Sequence, residues 1–227
     1  MNGWRLLSTA VLLVLLVYGP ALGDVSYSGS LTTYDGGIGG QEYWVDPGPT
    51  TIEWFIEWQE SANAWHYSYT FSVPRYAISH MIIEVSDDFK LDDIWNVDGQ
   101  HTEISLDTYT ELKGNPGMPG FIYGIKLDNF DFGEEEGLVA NLSFHTRRNP
   151  VWADFYAKCG GGSVQNAAWN MGLTDFEDDD PQVPPRDGSV NNHILAPNSY
   201  IPEPATTVLF GLGLAGLIGA RYRRRAT

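Results

Sequence analysis

Cysteine is almost absent from this 227-residue sequence, which contains a single one, Cys159. A chain with one thiol cannot close an internal disulfide bond, so its stability must come from packing and not from cross-links. Three glycines follow this cysteine, and no general base lies near it in the sequence. We therefore expect Cys159 to be a small buried side chain and not a catalytic thiol.

Catalytic signatures are also missing. The sequence contains no HExxH, GxSxG, P-loop or clustered Cys/His spacing. Its five histidines occur singly, and a general base needs a partner within hydrogen-bond distance that their spacing does not supply. We therefore expect no enzymatic activity and no organic cofactor. A polysaccharide hydrolase stays as an alternative, because no sequence pattern reveals the separation of two catalytic carboxylates.

Positive charge is scarce. The chain has 13 lysines and arginines against 29 aspartates and glutamates, a net charge of −16 at pH 7. Such a surface repels phosphate backbones, so the composition excludes nucleic acid as a partner. The basic residues near the C-terminus, Arg221, Arg223, Arg224 and Arg225, stand apart from this acidic background and need their own explanation.

The first 23 residues have the pattern of a secretory signal peptide. Arg5 precedes an apolar run at residues 6–17, and the small residues Ala21 and Gly23 lie two apart before Asp24. We expect cleavage after Gly23 and export by the Sec machinery. An uncleaved anchor is the alternative, but the apolar run is short for a membrane span.

The C-terminal tail has the pattern of a marginal membrane anchor. Residues 205–220 carry no charge, and a helix of that length covers about 24 Å of a hydrocarbon core of about 30 Å. The arginine cluster at 221–225 follows at once, and positive charge beside a membrane segment stays on the cytoplasmic side. The sequence thus predicts a C-terminal transmembrane helix, with the middle of the chain on the side of the membrane away from the cytoplasm.

Pro202-Glu203-Pro204 lies directly at the outer boundary of this segment. Two prolines hold the backbone extended and remove two amide donors, which suits a protease groove better than a helix. The motif, the apolar run and the arginines together resemble the PEP-CTERM sorting signal, which exosortase recognises and cuts. The resemblance implies a Gram-negative host that makes exopolysaccharide or biofilm, and a transient inner-membrane anchor on the way to the cell envelope or extracellular matrix.

Period-two alternation is the main structural signal in the middle of the chain. Every second side chain is apolar in residues 51–59, and residues 65–73 repeat the pattern after a short polar break, which predicts a long hairpin with one buried face. Further strands are expected at residues 78–85, 121–128, 138–145 and 151–158, and weaker ones at 24–28, 103–108 and 166–171.

The strand pattern predicts an all-β fold, an antiparallel β-sandwich or jelly-roll-like core over residues 24–173. A signal-peptide helix at 1–23 and the transmembrane helix at 205–220 flank this core. Residues 174–201 are acidic and then proline-rich, so we expect a mobile linker that leads to the sorting signal at 202–227.

Two kinds of binding residue are candidates in the exported part. Calcium takes oxygen ligands, and the carboxylates of Asp175, Asp178, Asp179 and Asp180 could supply them, although a solvated acidic surface explains the same residues. Trp44, Trp95 and Trp152 lie near turns or on mixed faces and could form a platform for sugar rings. We expect an exported envelope or matrix protein, with a calcium-assisted carbohydrate-binding module as an alternative and exopolysaccharide as a candidate partner.

Overall fold

The computed structural model describes residues 25–46, 48–132, 136–160, 166–174 and 180–197. The predicted signal peptide with Ala21 and Gly23, and the whole sorting signal at 202–227, lie outside the described residues. Within the described ranges, no helix is both long enough and apolar enough to cross a membrane.

Thirteen strands form within the described part of the chain. In chain order they are β1 (Ser26–Thr32), β2 (Ile38–Gly40), β3 (Thr51–Gln59), β4 (Ala64–Ser72), β5 (Ile78–Glu84), β6 (Ile94–Gly99), β7 (His101–Thr110), β8 (Phe121–Phe130), β9 (Val139–Thr146), β10 (Pro150–Ala153), β11 (Phe155–Cys159), β12 (Ala167–Asn170) and β13 (Ile194–Pro197). Short 3-10 turns lie at Glu42–Trp44, Leu91–Asp93, Glu111–Lys113 and Met171–Thr174. The prediction of an all-β core is confirmed.

The strands form two main sheets and a small one. Sheet A has the order β1-β3-β4-β9-β6, sheet B has the order β2-β12-β11-β5-β8-β7, and β10 pairs with β13. Every one of these pairings is antiparallel. Strands that are distant in sequence are neighbours in both sheets, so the core depends on long-range contacts.

The predicted hairpin forms the centre of sheet A. β3 pairs with β4 from Thr51↔Ser72 to Gln59↔Ala64 without a shift in register. Trp54 and Ile56 of β3 are at most 3% exposed, whereas Phe55 between them is 45% exposed. Successive side chains of a strand point to opposite faces, so the period of two in the sequence corresponds to one buried and one solvent-facing side.

Sheet B packs its inner face on sheet A and is also covered on part of its outer face. Met81, Ile83 and Phe155 belong to the main core, whereas Ile82 and Tyr156 point the other way into a second apolar cluster. β5 therefore has four consecutive buried residues, at positions 80–83, instead of alternating buried and exposed ones. Cys159 at the end of β11 is 6% exposed, and its Sγ accepts a hydrogen bond from the Asn166 backbone N–H at 3.2 Å, so the prediction of a buried thiol is confirmed.

The prediction of a linker over residues 174–201 is wrong for its C-terminal part. Ile194–Pro197 forms β13, which pairs with β10, and all four of its residues are buried. The Tyr69 hydroxyl donates a hydrogen bond of 2.9 Å to the Leu195 carbonyl oxygen. The chain returns to the core here because burying these apolar side chains outweighs the polar composition of the preceding stretch, in which Val183 is 47% exposed.

Two substitutions test whether residues 194–197 form a packed strand or belong to a linker. Leu195→Ala removes a fully buried side chain, so we expect it to lower the free energy of unfolding by about 2–5 kcal/mol. Val183→Ala lies in the same predicted linker but is exposed, and we expect a change within about 0.5 kcal/mol. Chemical denaturation of the full-length protein measures both, and two equally small effects would contradict the placement of β13.

Candidate functional site

The outer face of sheet A carries a row of side chains that crosses four neighbouring strands. Glu57 of β3 pairs with His66 of β4, His66 with His145 of β9, and His145 with Trp95 of β6. In β3, β4 and β9 these residues alternate with buried positions, so they point away from the core. We call these four residues the Trp95 row.

The rings of the Trp95 row contact one another. The centroids of the His66 and His145 rings are 4.9 Å apart. The Trp95 ring stacks on His145 with a centroid distance of 6.1 Å and an angle of 23° between the ring planes. The guanidinium carbon of Arg147 lies 5.9 Å from the Trp95 ring centroid, within the range of a cation–π contact. The result is a half-exposed aromatic surface with charged groups at its ends.

Hydrogen bonds determine the orientation of His145. Its Nε2 lies 2.9 Å from Oε1 of Gln59, an oxygen that only accepts, so Nε2 carries the proton. The Gln59 side-chain amide donates in turn to Glu57 at 2.7 Å. Burial lowers the pKa of His145, and the charge of the neighbouring His66 lowers this pKa further. His145 is therefore a neutral ring at neutral pH.

This combination of groups suits a sugar ring. A pyranose presents C–H groups on one face and hydroxyls around its rim, so it needs a flat apolar surface beside hydrogen-bonding groups. The Trp95 and His145 rings supply the surface, and the Glu57 carboxylate and the Arg147 guanidinium supply an acceptor and donors at its two ends.

The three tryptophans predicted as a sugar platform are not brought together. Trp95 is half-exposed on the outer face of sheet A. The prediction is wrong for Trp44 and Trp152, which are fully buried. Trp44 packs edge-on against Phe71 in the core, and its Nε1 donates to the Arg75 carbonyl oxygen at 2.7 Å. Position near a turn did not predict exposure, because distant strands cover both indoles.

A second group of polar side chains lies where β5, β10–β11 and β13 approach one another. Asp154 joins β10 to β11, and His193 immediately precedes β13. Asp180 lies in the segment between β12 and β13. His193 Nε2 is 3.5 Å from Oδ1 of Asp154 and 3.6 Å from Oδ1 of Asp180. We call these three residues the His193 cluster; burial raises the pKa of the Asp154 carboxyl within it.

Glu84 at the end of β5 borders the His193 cluster. One of its carboxylate oxygens accepts a hydrogen bond of 2.8 Å from the Asp154 backbone N–H. Burial raises the pKa of Glu84 well above its usual value, and the charges of Asp180 and Asp154 raise it further. Of the four predicted calcium ligands only Asp180 is among the described residues; Asp175, Asp178 and Asp179 lie outside them. The sequence pattern missed Asp154 and His193, because nothing local marks them as neighbours of Asp180.

His80 is buried for a structural reason. It lies in β5 at 2% exposure, and its Nε2 is 3.0 Å from Oδ1 of Asn115, whose amide donates to the Thr110 carbonyl oxygen at 2.9 Å. Burial, followed by the charges of Lys126 and Lys158, lowers the pKa of His80 to about 3. The neutral ring ties the loop after β7 to sheet B and is not available to a ligand.

Comparison with known proteins gives one informative match. Residues 201–225 match the family model of the PEP-CTERM protein-sorting motif. No curated protein matches the chain. A solved structure, the KRT10-binding region domain of the pneumococcal serine-rich repeat protein PsrP, aligns over 67% of this chain and 92% of its own, with 11% identity and a TM-score of 0.21.

The matched tail indicates a class, that of exported proteins directed to the cell surface. Within that class, the chain carries a PEP-CTERM protein-sorting motif at residues 201–225, and the motif implies processing by exosortase. The resemblance that Pro202-Glu203-Pro204 and the following residues indicated is thus confirmed.

The buried His80 predicts a specific loss of stability in acid. An unfolded histidine binds a proton below about pH 6.5, whereas folded His80 binds one only near pH 3, so stability falls as the pH falls through this window. We expect the wild type to lose about 2 kcal/mol of unfolding free energy between pH 7 and pH 5 from this group. His80→Gln should lack this component while it keeps every other titrating group. Parallel pH profiles of the two proteins would contradict the assignment.

Proposed function

We propose that this protein is a component of the cell envelope or extracellular matrix that holds neutral polysaccharide on the outer face of sheet A. The observation that carries the proposal is the Trp95 row, a continuous run of ring and polar side chains across four strands. The protein acts by binding, without turning its ligand over.

The signal peptide and the C-terminal sorting signal supply the route to the cell envelope. The Sec machinery exports the chain through its signal peptide, residues 205–220 hold it in the inner membrane, and the arginine cluster keeps the last residues inside. Exosortase then cuts near Pro202-Glu203-Pro204. The sorting-motif match at residues 201–225 supports this route. An apolar segment of about 24 Å makes a weak permanent anchor, which is consistent with a temporary one.

The choice of a neutral polysaccharide rests on charge. The chain carries a net charge of −16, which repels uronate-rich or phosphorylated polymers at low salt. Stacking on an indole and hydrogen bonds to hydroxyl groups need no charge on the ligand. A neutral exopolysaccharide of the surrounding matrix is therefore the ligand class that fits both the surface and the location.

Intact-mass analysis tests the delivery. The protein isolated from its native host should lack the residues after the Pro202-Glu203-Pro204 region, and the same protein from a strain without exosortase should keep them. The comparison isolates processing, since both strains synthesise the same chain. An identical C-terminus in the two strains would contradict the proposed route.

Binding to the host's neutral exopolysaccharide tests whether the Trp95 row is the binding surface. Trp95→Ala removes the half-exposed indole of the row, so we expect at least a tenfold loss of affinity in isothermal titration, about 1.4 kcal/mol. Phe121→Ala is the matched control, because Phe121 is an aromatic residue of sheet B with 69% exposure, and it should bind like the wild type. Equal losses in the two variants, or none, would contradict the site. Release of reducing ends would instead make the protein a hydrolase.

A further inference from the structure

The three ligand atoms of the His193 cluster have the spacing of a metal site. One atom each from Asp154, Asp180 and His193 lie within 4.8 Å of one another. Tetrahedral zinc with bonds of about 2.0–2.1 Å places its ligand atoms about 3.3 Å apart. The two His193 Nε2–carboxylate distances of 3.5 and 3.6 Å are close to that value and longer than an ordinary hydrogen bond.

The other nitrogen of His193 reveals the tautomer. Nδ1 lies 3.2 Å from the Val190 carbonyl oxygen, which only accepts, so Nδ1 carries the proton. In the neutral ring, Nε2 then presents its lone pair to two carboxylate oxygens, which is repulsive unless a cation lies between them. Metal-ligating histidines usually have this arrangement, with the distal N–H donated to a carbonyl or carboxylate.

The surrounding residues hold the ligands in place. The His193 side chain is 7% exposed, and it packs so closely on Gly172 that a Cβ at that position would lie 2.6 Å from Nε2. The Asn170 side-chain amide donates to Oδ1 of Asp154 at 2.5 Å and to the Asn192 carbonyl oxygen at 2.9 Å. A glycine that makes room for the ring and an amide that orients the carboxylate are features of a preorganised site.

The negative charge of the His193 cluster and its access to solvent also suit a cation. The carboxyl groups of Asp154 and Asp180 flank the His193 imidazole, and the Glu84 carboxyl lies beside Asp154. Among the described residues, no lysine or arginine forms an ion pair with Glu84 or Asp154. A polar cleft of about 390 Å³, lined in part by Glu84, Asp87 and Asp180, connects this region to solvent. Buried carboxylates without a cationic partner are costly, and a bound metal ion relieves that cost.

We propose that Asp154, Asp180 and His193 bind a divalent transition-metal ion, represented by Zn²⁺, with Glu84 beside them. An imidazole ligand favours zinc and related metals, whereas calcium prefers six to eight oxygens. The site is independent of the polysaccharide proposal, because its residues are not part of the Trp95 row. By joining β13 to the β10–β11 connection, the metal would stabilise the C-terminal end of the sandwich.

Titration of zinc chloride into the metal-free, full-length protein in detergent tests the site. We expect one Zn²⁺ per chain, a higher melting temperature on binding, and a much weaker response to calcium chloride. Asp180→Asn and His193→Gln, which keep side-chain volume, should each lower zinc affinity at least tenfold. Asp92→Asn is the matched control, since it removes an exposed carboxylate elsewhere, and it should bind zinc like the wild type.

Nuclear magnetic resonance of the wild type gives a second readout that does not depend on the variants folding. Zinc should shift the ¹⁵N resonance of His193 Nε2 while Nδ1 stays protonated. The proposal is overturned if zinc leaves this resonance unchanged, if His193 is a stable imidazolium with zinc present at pH 8, or if Asp180→Asn and His193→Gln bind zinc like the control. Equal or tighter binding of calcium would also contradict it.

Discussion

The antiparallel pairing of β13 with β10 is the contact on which the rest of the structure depends. Four residues of β13 are buried against the core, and the Tyr69 hydroxyl holds the Leu195 carbonyl oxygen from sheet A. Without this pairing, the core around Trp152 loses its cover, because Leu195 lies directly opposite that residue. The same pairing places His193 beside Asp154. The stability of the core and the geometry of the candidate metal site therefore both depend on it.

The two candidate sites use the sandwich in different ways. The Trp95 row belongs to the solvent-facing side of sheet A, where alternation frees every second side chain for contact with a ligand. The His193 cluster instead depends on segments distant in sequence that meet where strands end. A surface of the first kind suits an extended polymer, whereas a buried group of the second kind suits a small ion.

Much of the fold was readable from the sequence because its strands are amphipathic. The alternation at residues 51–59 and 65–73 predicts the β3–β4 hairpin and its buried face, and Trp95, one of the three predicted platform residues, is half-exposed. Trp44 and Trp152 were misjudged, since local sequence does not tell which distant strand covers an indole. β13 was missed because four apolar residues are too few for a periodic signal, and their acidic, proline-rich surroundings resemble a linker. The approach of His193 to Asp154 is a tertiary contact that no spacing encodes.

Amide hydrogen exchange of residues 194–196 is the most direct measurement of the central pairing. If β13 is an integral strand, the amides that bond to β10 exchange as slowly as those in the middle of β4, because they open only when the sandwich unfolds. Exchange at the rate of the exposed residues around Val183 would contradict the pairing, and with it the placement of His193 beside Asp154.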